Sequence, residues 1–187
     1  RSSDLELVEL AASLGLTLMV GHTYLYSAPV RRIKEIIDSG DIGEIRYINA
    51  RRLNLGLFQN TINVTWDLAP HDIAIIFYLT GMLPNSVNCQ GNSHVTKGIE
   101  DVTNMSMNFD QGVFANLQNS WLDPRKVREM TIVGSRKMIV YDDVQQLEKV
   151  RIYDMRVDAM PHYDTFGEFH FAYHYGDSHI QIGRAHV

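Results

Sequence analysis

The residues best placed to do chemistry are Asp67 and His71, in the stretch WDLAPHDIAIIFYLTG from Trp66 to Gly81. At i and i+4 they share one face of a helix about one turn apart. Pro70 lacks an N–H and is at home in a first helical turn, so the spacing predicts that the pair sits at the helix entrance. The positive end of the helix dipole favours the neutral imidazole there. A carboxylate one turn back favours the charged form, and can hold one ring N–H so that the other nitrogen faces outward as an acceptor. Under such opposed influences a histidine becomes a base poised near neutral pH, as proton removal from an alcohol requires. A purely structural reading stands beside this one: aspartate is a preferred cap, and Asp67 bonding the N–H of Ala69 would leave His71 incidental.

Four further residues are candidates for holding a substrate. Arg52 and Asn54 share a face at the end of a strand leading to the helix, and Asn63 and Trp66 flank the motif itself. Arginine offers a bidentate fork for a phosphate or carboxylate, the amides suit hydroxyls, and the indole gives a sugar ring a stacking face. Each is equally readable as a loop polar group or a core aromatic. Trp121, in SWLDP, ends a strand and fits core packing better than a cleft. His170 and His174 have helical spacing and, with His162 and His179, invite a metal reading. The aromatics around them, Gly167 and Gly176 argue against a helix, so no metal site is expected, and the segment reads as an aromatic loop. Asp142 and Asp143, after MIVY, read as a strand end with turn chemistry.

The elements that must position these residues follow from periodicity. Leu7, Leu10, Ala11 and Leu14 mark one face of a helix stopped by Gly15, and the apolar run LTLMV after it reads as a buried parallel strand. A second helix is predicted from Ser27 and Pro29 through Val30, Ile33 and Ile36 to Gly40. From Glu44 the period changes to two in EIRYINARRL. The motif helix follows, and then strands in quick succession: SVNCQGNS, VTNMSMNF, VFANLQNSWL, EMTIVG and MIVYD. Met105, Met107 and Phe109 form one face of their strand; Asn104, Ser106 and Asn108 form the other, joined by Asn116, Gln118 and Ser120. That broad uncharged polar face is either the solvated side of an antiparallel sheet or a subunit interface.

Bulk properties narrow the function. The chain has 187 residues, 45% of them apolar, enough for a real core. Its net charge of −5, with Lys and Arg scattered, gives no electrostatic footprint for nucleic acid or an anionic membrane surface. Cys89 is alone, which excludes an intrachain disulfide and fits a reducing cytoplasm. Apolar runs such as IAIIFYL fall short of a membrane span. Back-translated as CGCTCTTCCGATCT and CAGATCGGAAGAGCACACGTC, the two ends share GATCGGAAGAGC as reverse complements, as sequencing-adapter DNA read in frame would. Residues 1–5 and 181–187 are therefore expected to be adapter-derived.

The order MVGHTYLY, VRRIKEIIDSGDIGEIRYI, WDLAPHDIAIIFYLTG, GIEDVTNMSMNF and SWLDPRKVREMTIVGSRKMIVYDD, from about Leu7 to Ile180, resembles the C-terminal half of the glucose–fructose oxidoreductase/inositol dehydrogenase (Gfo/Idh/MocA) family. The resemblance implies an α+β fold: a mixed, largely antiparallel open sheet with helices on one face, preceded by the last helix–strand unit of a Rossmann domain. Residues 1–22 would be that remnant and 23–180 a substrate-binding and oligomerisation domain, forming a homo-oligomer through the open sheet face. It implies an NAD(P)-dependent oxidoreductase acting on a sugar or nucleotide sugar, with His71 as general acid/base and Asp67 orienting it. The WDLAPHD form of the motif is more like relatives acting on nucleotide sugars than like inositol dehydrogenases. The family's lysine of an E-K-P motif is absent, and no G-x-G-x-x-G loop appears. NAD or NADP would then be held mainly by a Rossmann domain outside these residues. The competing class is a catalytically silent sugar-sensing or interaction module on the same fold.

Overall fold

A computed structural model describes residues 2–157 and 173–181. Eight strands form one open sheet in the order β2-β3-β4-β1-β5-β6-β7-β8. They are β1 (Ile45–Leu55), β2 (Ser86–Asn92), β3 (Val102–Asn108), β4 (Phe114–Ser120), β5 (Leu122–Gly134), β6 (Met138–Asp142), β7 (Val150–Val157) and β8 (Tyr173–Gln181). β1 runs parallel to β4, and all other neighbouring pairs are antiparallel. With helices α1 (Ser2–Ser13), α2 (Ala28–Asp38) and α3 (Val64–Thr80), this is the expected α+β fold with a mixed, largely antiparallel open sheet.

Helix α2 turns Val30, Ile33 and Ile36 inward at helical spacing. Helix α3 does the same with Val64, Ala69, Ile75, Ile76 and Leu79. They close over Ile48, Ala50, Ala115, Leu117, Met107, Met130, Ile132, Ile139 and Ile152 in one continuous core. Gly81 ends α3 in the left-handed conformation (φ 68°), and its N–H returns to the Phe77 carbonyl at 2.8 Å.

The start of α3 corrects the reading of Pro70. Asn63 caps the helix, its side chain accepting from the Trp66 N–H at 3.2 Å, so α3 begins a turn earlier than expected and Pro70 lies in its second turn. The cost of the missing proline N–H falls on the carbonyl of Trp66, an exposed residue.

Other differences have equally local causes. LTLMV pairs with no strand among the described residues, and Leu16, Leu18, Met19 and Val20 are exposed. EMTIVG is only the end of β5, which starts at Leu122, the register partner of Leu55, and rejoins the ladder at Val127 after a register shift. β7 and β8 were not anticipated. His174 lies in β8, whereas His162 and His170 fall outside the described residues. No described helix is long and apolar enough to cross a membrane.

On the uncovered side of the sheet, polar rows run across the strands. Asn88 faces Ser106, which faces Asn116, which faces Asn49; Gln90, Asn104, Gln118 and Arg51 repeat the pattern one step along. Together they line a shallow hollow of about 420 Å³. The expected amides and Ser106 are on this face, but Arg51 and its ion-pair partner Glu129 join them, so it is not uncharged, and Ser120 is buried.

Candidate functional site

The candidate site lies where α3 packs over β1, with β5 alongside. Helix α3 supplies Asp67, His71 and Asp72, while β1 and β5 supply Arg52 and Arg128, which are register partners. A 3-10 turn over Thr23–Tyr26 brings Tyr24 against them, and the corner between β4 and β5 contributes Trp121.

Arg52 is 4% exposed and bonded at both ends of its fork: Nε donates to Asp72 Oδ2 at 2.9 Å and Nη2 to Asp72 Oδ1 at 2.8 Å. Its third nitrogen donates to the Tyr24 hydroxyl at 3.3 Å, and its guanidinium carbon is 4.9 Å from the centre of that ring. Burial disfavours the cation, but the hydrogen bonds and charge of Asp72 outweigh it and push the guanidinium pKa up. Arg52, foreseen as a substrate contact, thus has all three of its nitrogens bonded within the protein. A buried charge demands a fixed partner, and Asp72, 20 residues away in sequence, is that partner.

His71 is half-buried, its ring tilted 59° to that of Tyr24 with centroids 5.1 Å apart. Neither ring nitrogen makes a hydrogen bond to the described residues, so both are uncommitted to the protein there. Burial lowers its pKa from the ordinary histidine value; Arg52 lowers it further, Asp72 opposes, Arg128 lowers it again, and Asp67 opposes weakly. The helix dipole expected to act on His71 belongs to the first turn, and His71 lies beyond that turn.

Asp67 acts on His71 through its charge alone, without the hydrogen bond foreseen for it. Its Oδ2 accepts from the Trp121 indole N–H at 3.0 Å, not from the Ala69 N–H and not from His71. Trp121 is both core and site: it is 1% exposed, with Phe58 edge-on at 5.7 Å. A Cβ on Gly56 would meet its ring at 2.8 Å, so that position admits no side chain while the indole stays in place.

The other substrate candidates are not brought to His71. Asn63 is occupied by the cap and by donating to Glu100 Oε2 at 2.8 Å, a bond that draws the Glu100 carboxyl below its ordinary pKa. Trp66 is 70% exposed but about 140° around the helix from His71. It borders an apolar hollow of about 410 Å³ with His22, Pro70, Ile73 and Phe77. Asn54 is half-buried at the end of β1. At the start of α3 the Val64 N–H is taken by the Glu100 carbonyl and the Trp66 N–H by Asn63, with the Glu100 carboxylate beside the cap, and the described residues offer no glycine-rich cradle, so they do not fit the diphosphate of a dinucleotide. Among them no group of three or more His, Cys, Asp or Glu could hold a metal.

Three members escaped the sequence reading. Asp72 had a signal, being a carboxylate on the apolar stripe of Ala69, Ile75, Ile76 and Leu79, where a buried ion pair is the ready explanation. Tyr24 and Arg128 had none, because only the tertiary fold brings them together.

A model described as the GFO/IDH/MocA C-terminal domain matches residues 30–140, more than half the chain. A dehydrogenase of 1-carboxy-3-chloro-3,4-dihydroxycyclohexa-1,5-diene from Comamonas testosteroni is 29% identical, the match covering 59% of this chain and 30% of that protein. Among solved structures, UDP-N-acetylglucosamine 3-dehydrogenase GnnA from Acidithiobacillus ferrooxidans is similar at a TM-score of 0.61 and 26% identity, over 80% of this chain and 47% of its own. An inositol dehydrogenase homologue from Azotobacter vinelandii, complexed with NADH and myo-inositol, shares the fold at a TM-score of 0.70 and 16% identity, over 83% and 44%. The chain thus spans less than half the length of these relatives.

Proposed function

This chain belongs to the GFO/IDH/MocA family, and we propose that it is the substrate-facing half of an NAD(P)-dependent oxidoreductase that interconverts a hydroxyl and a ketone on a sugar or nucleotide sugar. The observation that carries this reading is His71 itself: a half-buried imidazole kept toward its neutral form, braced by Tyr24, with both ring nitrogens uncommitted among the described residues. In the oxidative direction His71 takes the proton of the substrate hydroxyl; in reduction it returns it. Asp67, tethered by Trp121 one turn away, contributes a negative charge that steadies the imidazolium once formed.

NAD or NADP, when bound, supplies the hydride acceptor, and its diphosphate must be held outside the described residues. Two relatives above 25% identity are named for substrates with a secondary alcohol on a six-membered ring, which supports that class here. A cytoplasmic setting suits the exposed, unpaired Cys89. The open sheet face is assigned to contact with a second copy.

The test supplies the full-length protein with NAD⁺ or NADP⁺ and a panel of sugars, cyclic polyols and nucleotide sugars, following the absorbance of reduced cofactor. His71→Ala is expected to lower kcat by about 10²–10⁴-fold. Equal rates in wild type and variant would remove His71 from the reaction. Cofactor binding without turnover of any alcohol would favour a silent sugar-binding module.

A further inference from the structure

We propose that Tyr24 is a positioning residue for His71, its ring setting the plane of the imidazole and its hydroxyl pinning the Arg128 guanidinium beside it. The inference rests on the reading of His71 as proton carrier, but concerns a residue that this reading leaves unused.

The geometry is unusual for a tyrosine. Its oxygen accepts from two cations at once, Arg52 Nη1 at 3.3 Å and Arg128 Nη1 at 3.1 Å, while its ring lies 5.1 Å from the His71 ring. The two arginines differ in how firmly they are held. Arg52 is fixed by Asp72 whatever Tyr24 does. Arg128 is 37% exposed, and its other anchor is a looser 3.6 Å contact with Asp143, whose carboxylate also receives Lys149 at 2.8 Å. The phenol oxygen is therefore the near contact that holds the Arg128 charge at the site.

The groups acting on His71 come from every side. They are Tyr24 from the 3-10 turn, Arg52 from β1, Arg128 from β5, and Asp67 and Asp72 from its own helix. Burial and the two arginines disfavour the imidazolium and the two aspartates favour it; the former prevail. Releasing Arg128 takes away one positive neighbour, so the imidazole should bind its proton more readily and remain charged to a higher pH. Oxidation of an alcohol needs the neutral ring, so the acidic limb of kcat/KM should move up with it.

The experiment follows the His71 ring signal by NMR across a pH titration of the full-length protein, assigned by its loss in His71→Ala. Tyr24→Phe keeps the ring and deletes the oxygen; Arg128→Gln deletes the charge. Each is expected to raise the titration midpoint, and the double variant to shift it no further than either alone. Tyr24→Leu, which removes the ring, is expected to lose about tenfold in kcat relative to Tyr24→Phe with KM little changed. A midpoint in Tyr24→Phe equal to wild type would overturn the proposal, and this variant keeps the packing should Tyr24→Leu fail to fold. A raised midpoint in a protein that turns over no alcohol would uphold the coupling of Tyr24 to His71 and overturn the catalytic reading instead.

Discussion

Arg51 and Arg52 are neighbours in β1, and each pairs with a carboxylate, yet the strand's alternation sends them to opposite faces of the sheet. Arg51 meets Glu129 at 2.7 Å on the open face, both side chains about a third exposed. Arg52 meets Asp72 beneath α3, both nearly sealed from water. The first pair can dissolve into solvent and re-form. The second cannot separate without leaving a charge in the core, so it fixes the position of α3 over β1 and hence the place where His71 stands. The contrast shows how one fold keeps two polar surfaces with different duties: charge locked in place under the helix, and a looser ion pair among amides on the other side.

The largest expected effect comes from breaking the sealed pair. Arg52→Ala leaves Asp72 buried and unpaired, and should destabilise the protein by about 3–5 kcal/mol in urea unfolding. Arg51→Ala should cost under about 1 kcal/mol. Replacing both sealed partners, Arg52→Met with Asp72→Leu, should recover most of the loss, since no orphaned charge remains. Equal losses for Arg51→Ala and Arg52→Ala would abolish the distinction.

The same contrast explains what the sequence made legible. The open face was readable because period-two alternation is local: Asn104, Ser106 and Asn108 announce themselves within one strand. Asp67 and His71 were readable for the same reason, sharing one helix. The surroundings that give His71 its character were not. Arg52 and Asp72 are 20 residues apart, and Tyr24 and Arg128 are 104 apart, so nothing in either neighbourhood reports the contact. The start of α3 was misplaced because Pro70 is a strong first-turn signal and Asn63 a competing cap; the cap prevailed, and the dipole argument for His71 went with it. Trp121 was read as core, which it is, but its polar edge could not be aimed at Asp67 from sequence alone.

A second, smaller effect tests how completely the covered face is satisfied. Asn119 follows Gln118 on β4, is the register partner of Arg52, and is 1% exposed, with neither its amide nitrogen nor its oxygen bonded to the protein. Buried amides left unpaired are destabilising, so Asn119→Leu, which matches the amide in heavy-atom branching though it is bulkier, should raise stability by about 1–3 kcal/mol. A drop in the urea midpoint would show instead that a bound water or ligand completes the amide.

The smallest effect on the fold, and the sharpest on the comparison, is expected from the open face. Asn88 and Asn116 flank Ser106 across the polar row, so lysines placed at both would sit on β2 and β4 with β3 between them. Solvent-facing substitutions of this kind usually change stability by no more than about 0.5 kcal/mol each, and the urea midpoint of Asn88→Lys/Asn116→Lys should stay near that of wild type. If the face meets a second copy, a two-fold contact brings each new charge toward its own equivalent, and a desolvated amide row has nothing to pair with it. Sedimentation should then show the wild type assembling and the double variant not, with the fold intact in both. Identical sedimentation of the two would mean that the amide rows face only water, leaving the covered face as the one polar surface of this sheet with a partner.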